Sequence, residues 1–328
     1  MVIIFSETTD LSTNQVIDWL IFNNTKYIRY NEAKSYYKQS LLDKSYSYKI
    51  GDNIFDHSIE NSNQIKSIWF RRPYKGINDM FEIIPTNGLI PFKKLESNLK
   101  NHYTILKNLI INSLLKYRTL GSYETIQLNK PIVLSIAKNV GLKIPNTIIT
   151  NDYKELRRFY IQNNNKIITK ALSESFRFDP PNEGHWISNK TVLIQNINQS
   201  PKKFATSLFQ EYIEKKYELR VFYLNDKIFC SCIFSQLNTK TKIDFRNYDK
   251  TVPNRIVPYN LPSDIIQKII RLMKILNLNT GSIDLLKSHN DEYIFLEVNP
   301  VGQFGFISES CNFYLEKEIT NYLTNDRK

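Results

Sequence analysis

Three oxygen-bearing side chains near the C-terminus have the spacing of a hard-metal site. In Phe295-Leu296-Glu297-Val298-Asn299-Pro300, Glu297 and Asn299 are two residues apart. On a strand they project from one face, while Leu296 and Val298 go into the core. Gly281–Lys287 and Glu292–Val298 are expected to pair as a hairpin across Ser288–Asp291. That register pairs Lys287 with Glu292 and Asp284 with Phe295, so Asp284 joins the Glu297 face one diagonal step away. Two carboxylates and an amide oxygen then converge with incomplete coordination. Such a set suits Mg²⁺, whose shell water and phosphate would complete. A solvated strand face is the plain alternative. The next segment, Pro300-Val301-Gly302-Gln303-Phe304-Gly305, favours the metal, because a glycine-bearing turn lets backbone approach a ligand.

A nucleotide is the natural partner of that metal, yet the chain has no phosphate loop. None of its nine glycines precedes Lys-Ser or Lys-Thr, and no Gly-x-Gly-x-x-Gly opens a helix. Phosphates would have to be held by point charges, for which Lys130 and Lys170 are candidates. Taken alone, each reads as an ordinary surface lysine. Leu208-Phe209-Gln210-Glu211-Tyr212-Ile213 ends an apolar strand in a polar stretch, as an adenine-binding hinge would. Glu218 and Arg220 share a face of the next strand, and spacing supports a structural pair and a ligand contact equally.

The elements that must position these groups follow from periodicity. Val2–Phe5 and Lys66–Phe70 read as buried strands, the second closed by Arg71-Arg72-Pro73. Thr13–Asn23 reads as a helix, and Pro91 opens a longer one in which Leu95, Leu99, Leu106, Ile110 and Leu114 recur at helical spacing. Leu128–Val140 is a helix with Pro131 in its first turn and Gly141 at its end. Thr147–Thr150 and Ile167–Lys170 are strands, with Asp152 capping the helix between them. Residues 172–190 carry no period and read as a long loop of the kind that serves as a lid. Glu218–Leu224 and Lys227–Phe234 flank Asn225-Asp226, a tight turn. Asp264–Leu276 and Phe313–Leu323 are the last helices.

With 328 residues the chain is long enough for two or three domains, and its 41% hydrophobic and 23% charged content is globular rather than disordered. Lys+Arg exceed Asp+Glu by 44 to 32, a net charge of +12. A polyanionic partner and an incidental, scattered excess of lysine account for it equally well. Three cysteines make no disulfide framework, and the Met1–Glu7 start has neither the basic lead-in nor the apolar length of a signal peptide. The reading is therefore a cytoplasmic, soluble protein.

Taken in order, these segments resemble the ATP-grasp superfamily over nearly the whole chain. Asn129-Lys130 resembles the first ATP lysine and Ile168-Thr169-Lys170 the second. Gln210-Glu211-Tyr212-Ile213 resembles the hinge, and Glu218-Leu219-Arg220 the ribose and substrate strand. Asp284 with Glu297-Val298-Asn299-Pro300 resembles the Mg²⁺ signature. Phe5-Ser6-Glu7, Asp10-Leu11-Ser12-Thr13 and Trp69-Phe70-Arg71-Arg72-Pro73 look like the N-terminal domain of graspetide synthetases. Phe295 through Gly305 and Asp244-Phe245-Arg246 most resemble the peptide maturases of the grasp-with-spasm branch.

The resemblance implies an α/β (α+β) chain of three domains: an N-terminal pre-ATP-grasp domain (1–118), a central domain (119–211) and a C-terminal antiparallel-sheet domain with the Mg²⁺ site (212–328). It implies ATP and Mg²⁺ as cofactors and a precursor peptide, leader plus core, as substrate. Nucleic acid and membrane are not expected partners, and a homodimer is compatible. Family members join Asp or Glu side chains to Ser or Thr hydroxyls, or to Lys amines, through an acyl phosphate, releasing ADP and phosphate. In that scheme Asp284, Glu297 and Asn299 hold the metal. Lys130, Lys170, Gln210, Glu211, Tyr212, Ile213 and Glu218 hold the nucleotide. Arg220 and Arg246 clamp the carboxylate and the transferring phosphoryl group. Arg71 and Arg72 are candidates for holding substrate, with a structural ion pair at a strand end equally well supported. A glutamate ligase acting on a protein or small molecule is the rival within the superfamily. A non-catalytic, basic nucleic-acid-binding protein is the rival outside it, but basic residues interleaved with aromatics on one element are not evident.

Overall fold

The computed structural model describes residues 1–30, 35–40, 45–50, 53–57, 65–72, 98, 101–102, 104–105, 108, 111–125, 128–172, 191–236, 241, 243 and 251–325, those of 35–57 by backbone alone. The chain divides into two compact units. One comprises Met1–Ile126, Gln303–Glu309 and Phe313–Lys328, the other Gln127–Gly302 with Ser310–Asn312.

The first unit is built on a parallel four-stranded sheet. Strands β1 (Val2–Phe5), β2 (Tyr27–Tyr30), β6 (Ser67–Phe70) and β7 (Arg118–Leu120) lie in the order β2-β1-β6-β7. β1 and β6 are buried at every position, as strands covered on both faces must be. Ile3, Phe5, Ile68, Phe70 and Leu114 form the core on one side. Helix α1 (Leu11–Phe22) packs on helix α6 (Leu315–Thr324), where Thr320 Oγ1 donates to the Val16 carbonyl. Asp10 caps α1 by accepting from the Thr13 amide. A meander, β3 (Ser35–Ser40), β4 (Ser45–Ile50) and β5 (Asn53–His57), forms a second sheet that periodicity does not reveal. Of the long helix expected from Pro91, residues 111–114 and the other described positions are helical, while Pro91, Leu95, Leu99, Leu106 and Ile110 lie outside the described residues, as does Pro73.

The second unit holds two antiparallel sheets. β8 (Thr147–Thr150), β9 (Ile167–Lys170), β10 (Val192–Ile194) and β11 (Ser207–Glu211) are ordered β10-β9-β11-β8. Helix α3 (Tyr153–Gln162) covers them, burying Leu156, Phe159 and Tyr160 against Ile167 and Phe209. β12 (Lys215–Leu224), β13 (Lys227–Phe234), β14 (Arg255–Pro258), β15 (Thr280–Ser288) and β16 (Tyr293–Asn299) are ordered β14-β13-β12-β15-β16. Helices α2 (Lys130–Asn139) and α4 (Ser263–Ile275) close the main core over this sheet, with Leu134, Ile269, Leu272, Leu219, Val221 and Phe295 at its centre. The β12–β13 turn is as expected: Asn225 and Asp226 both take positive φ, 45° and 69°.

Cys230 and Cys232 point into that core, where burial pushes the Cys232 thiol up to about 12. Of the expected lid, residues 173–190 lie outside the described residues. Among the described residues no helix is long and apolar enough to cross a membrane. Helix α5 (Gly305–Cys311), one short element after the Pro300–Gly305 segment, has no counterpart in the sequence expectations.

Candidate functional site

The site grows from three adjacent strands of the second unit. Arg220 on β12 sits opposite Asp284 on β15, and Asp284 sits opposite Glu297 on β16. The last contact corrects the expected register. Lys287 pairs with Tyr293 rather than Glu292, and the ladder slips again between Asp284 and Leu285, whose partners are Glu297 and Phe295. Leu296 is thus the extra residue of a β-bulge. A bulge re-aims side chains, and here it places Glu297 directly across from Asp284 instead of diagonally. It also turns Leu296 out of the core, where the sequence had put it, onto the wall of a cleft. Val298 stays in the core, and Phe295, which alternation put on the Glu297 face, joins it.

Each acid meets a cation. Arg220 Nη1 donates to Asp284 Oδ1 at 2.7 Å, with both side chains under a tenth exposed. Lys130 Nζ lies 3.9 Å from Glu297 Oε2 and donates to the Ala171 carbonyl at 3.2 Å. Asn299 Nδ2 donates to Glu297 Oε1 at 3.2 Å, so its amide is at the acid as the spacing required. Asn129 caps the helix carrying Lys130 by accepting from the Ile132 amide, which fixes the lysine at the helix start. Among the described residues no group of three or more His, Cys, Asp or Glu is arranged to hold a metal ion. Two buried carboxylates with one amide are therefore an oxygen set that fits Mg²⁺ only with further oxygens from phosphate or water, and the set is unsuited to a closed protein cage.

The cleft above this floor is lined by Lys170, Glu211, Tyr212, Ile213 and Glu218 from the expected nucleotide set, together with Asp284 and Glu297. Ile168, Leu286 and Leu296 add apolar walls. Not every candidate faces it. Gln210 is fully buried, with Nε2 donating to Thr147 Oγ1 at 3.0 Å, and is not among the lining residues. The Glu211 carboxylate accepts from the Asn146 backbone amide at 2.9 Å and from Asn146 Nδ2 at 3.2 Å, so it fastens the strand end. Tyr212 is held by its amide, which donates to the Lys166 carbonyl, and burial pushes its phenol up. Glu218 and Arg220 each take a partner outside the pair. Glu218 accepts from Lys215 Nζ at 2.7 Å and from Ser235 Oγ at 2.8 Å.

Gly302 has a role other than the one its turn suggested. A Cβ there would lie 2.6 Å from Ser282 Cβ and 3.0 Å from Arg220 Nη2. The missing side chain makes room for the guanidinium on Asp284.

Arg71 and Arg72 belong to the first unit. Both Nε atoms donate to Asp10 Oδ2 at 3.0 Å, Arg72 also lies 3.3 Å from Glu7, and the Arg71 guanidinium stacks over Phe304. Burial alone would raise the Asp10 carboxyl, but Arg71 and then Arg72 outweigh it and hold the group below the usual carboxylate range. Arg246, with Asp244 and Phe245, lies outside the described residues.

Lys215, Ser235, Ile243 and Leu296 were missed in the sequence. For Lys215 a signal existed in Lys215-Lys216-Tyr217-Glu218, but strict alternation assigns it to the wrong face.

No protein-family profile and no curated protein matches the sequence. Solved structures do. A RiPP-associated ATP-grasp ligase of Chryseobacterium gregarium, solved with ADP and a leader and core peptide, is 22% identical and superposes with a TM-score of 0.77 over 98% of this chain and 94% of its own. The macrocyclase MdnC of Microcystis aeruginosa MRC, bound with precursor peptide MdnA, is 24% identical, with a TM-score of 0.74 over 99% of both chains. The ATP-grasp ligase PsnB, complexed with a phosphomimetic variant of a minimal precursor, Mg and ADP, is 14% identical, with a TM-score of 0.68 over 98% of this chain and 97% of its own. From its first strand to its last helix, the chain has the fold of ATP-grasp ligases.

Proposed function

We propose that the chain is an ATP- and Mg²⁺-dependent peptide maturase. It joins Asp or Glu side chains of a ribosomal precursor to Ser or Thr hydroxyls, or to Lys amines, through an acyl phosphate. The observation that carries this reading is the Arg220–Asp284–Glu297 row, whose two carboxylates line a cleft together with Lys170, Tyr212 and Glu218, in a fold shared with ligases solved with ADP and precursor peptides. The functional divisions we assign are 1–118, 119–211 and 212–328, with the cytoplasm as the compartment.

Mg·ATP, when bound, supplies the phosphoryl group and screens its charge. The chain's own residues do the rest. Asp284, Glu297 and Asn299 offer the oxygens that hold the metal, and Lys130 and Lys170 face phosphate charge. The Tyr212–Ile213 segment and the Leu286 and Leu296 walls seat the base, while Glu218 accepts from sugar hydroxyls. Arg220, and Arg246 by its sequence context, match a carboxylate or phosphoryl group with a bidentate fork. The peptide carboxylate attacks the terminal phosphorus and ADP leaves. The hydroxyl or amine then attacks the acyl carbon, loses its proton and expels phosphate. Incubation with ATP, Mg²⁺ and the cognate precursor should lower peptide mass by one water per bond. Addition of amino-acid mass would instead favour a glutamate ligase.

A further inference from the structure

A second bulge shapes the cleft. On a regular strand Lys215 and Glu218, an odd number of residues apart, face opposite sides. In β12 the register against β15 slips between Lys215 and Tyr217, and the extra residue returns Lys215 to the Glu218 side. There the ammonium leaves water: the Lys215 side chain is 3% exposed and that of Glu218 8%. Nζ donates to Glu218 Oε1 at 2.7 Å and to the Ile243 carbonyl at 3.0 Å. Ser235 Oγ donates to the same Glu218 oxygen at 2.8 Å, and the Ser235 carbonyl accepts from Thr241 Oγ1 at 3.0 Å. Lys215, Glu218 and Ile243 all line the cleft.

Two donors on one carboxylate oxygen fix the rotation of the group, and so fix where its other edge points. A strand without the bulge would take the Lys215 bond away from Oε1. We propose that Lys215 is a positioning residue for a nucleoside ligand. It orients Glu218 as the acceptor for the ligand's vicinal hydroxyls and, through the Ile243 carbonyl, holds the Ile243 side chain against the ligand. The inference rests on the nucleotide reading above and adds to it a residue that touches the acceptor rather than the reacting atoms.

Titration calorimetry with Mg²⁺, comparing ADP with 2′,3′-dideoxy-ADP, tests it. Lys215→Met should weaken ADP about tenfold, the scale of one lost charge-assisted orientation, and dideoxy-ADP by less than about threefold. In a Glu218→Gln background the same substitution should change the ADP-to-dideoxy ratio by less than about twofold, because the group it orients is gone. Lys215→Met removes an ammonium from a buried acid, so Ser235→Ala provides a second route. It removes the Ser235 hydroxyl bond to Oε1, together with the bond that hydroxyl accepts from Gln236 Nε2, and keeps the Lys215 ammonium in place, so it should shift the ratio in the same direction by about threefold.

Equal weakening of both nucleotides by Lys215→Met, no weakening of either, or a wild type that does not discriminate between them, would each overturn the positioning role while leaving the nucleotide reading standing. A wild type that binds neither nucleotide would overturn both.

Discussion

Replacing Gly302 by Ala tests how the site is held. The new Cβ would lie 2.6 Å from Ser282 Cβ, 2.8 Å from Ser282 Oγ and 3.0 Å from Arg220 Nη2. Carbon atoms rest at about 3.5–4.0 Å, so the overlap with Ser282 is about 1 Å. Ser282 is buried inside β15, flanked by β12 and β16, and has little room to move. Overpacking of this kind costs about 1–3 kcal/mol, or about 2–10 °C in Tm for a unit this size. The guanidinium is the softer neighbour, and its displacement breaks the 2.7 Å bond to Asp284. A misplacement of about 1 Å at a reacting centre costs about a hundredfold in turnover. Thermal melting and an ADP-release assay read the two effects separately. Adding Ser282→Gly should recover part of both, because it vacates the nearest contact. If Gly302→Ala melts and turns over like wild type, Gly302 is not what makes room for Arg220.

Asp284→Asn and Glu297→Gln should each cut Mg²⁺-dependent turnover at least about a hundredfold while the circular dichroism spectrum is retained; full activity in either would remove that acid from the metal set. Arg246→Ala should lower peptide dehydration about thirty- to a thousandfold with ADP binding nearly unchanged, measured by mass spectrometry and calorimetry. The Asp10 carboxyl is held below its ordinary value, so its contribution is present above the unfolded value of about 3.9 and lost as pH falls through the lower folded one. The Tm gap between wild type and Asp10→Asn should therefore be wide at neutral pH and close below about pH 4; a gap independent of pH would contradict the ion-pair account.

What the sequence carried well was whatever depends on local rules. Asn129 and Asp152 cap their helices, and Asn225-Asp226 turns its hairpin with both residues in left-handed backbone. The ordered motifs pointed to the fold that the solved ligases share. What failed was register. Alternation puts Leu296 in the core and the strand read from Glu218 leaves Lys215 out, and both depend on bulges that the pairing of neighbouring strands sets. Ser35–Ser40 and Ser45–Ile50 escaped notice because serine, lysine and glutamine break the apolar alternation. The role of Gly302 was invisible for a related reason: its nearest neighbours, Ser282 and Arg220, are distant in sequence. Glu218 and Arg220 were seen to share a face, but their partners, Lys215 and Asp284, depend on the β12–β15 pairing.

The most direct test of the central claim follows an oxygen atom. A precursor whose Asp and Glu carboxylates carry ¹⁸O, incubated with the enzyme, Mg²⁺ and ATP, should transfer one ¹⁸O to inorganic phosphate for each cross-link formed, with ADP as the other product. Dehydrated peptide accompanied by unlabelled phosphate, or by AMP and pyrophosphate, would contradict activation of the carboxylate as an acyl phosphate.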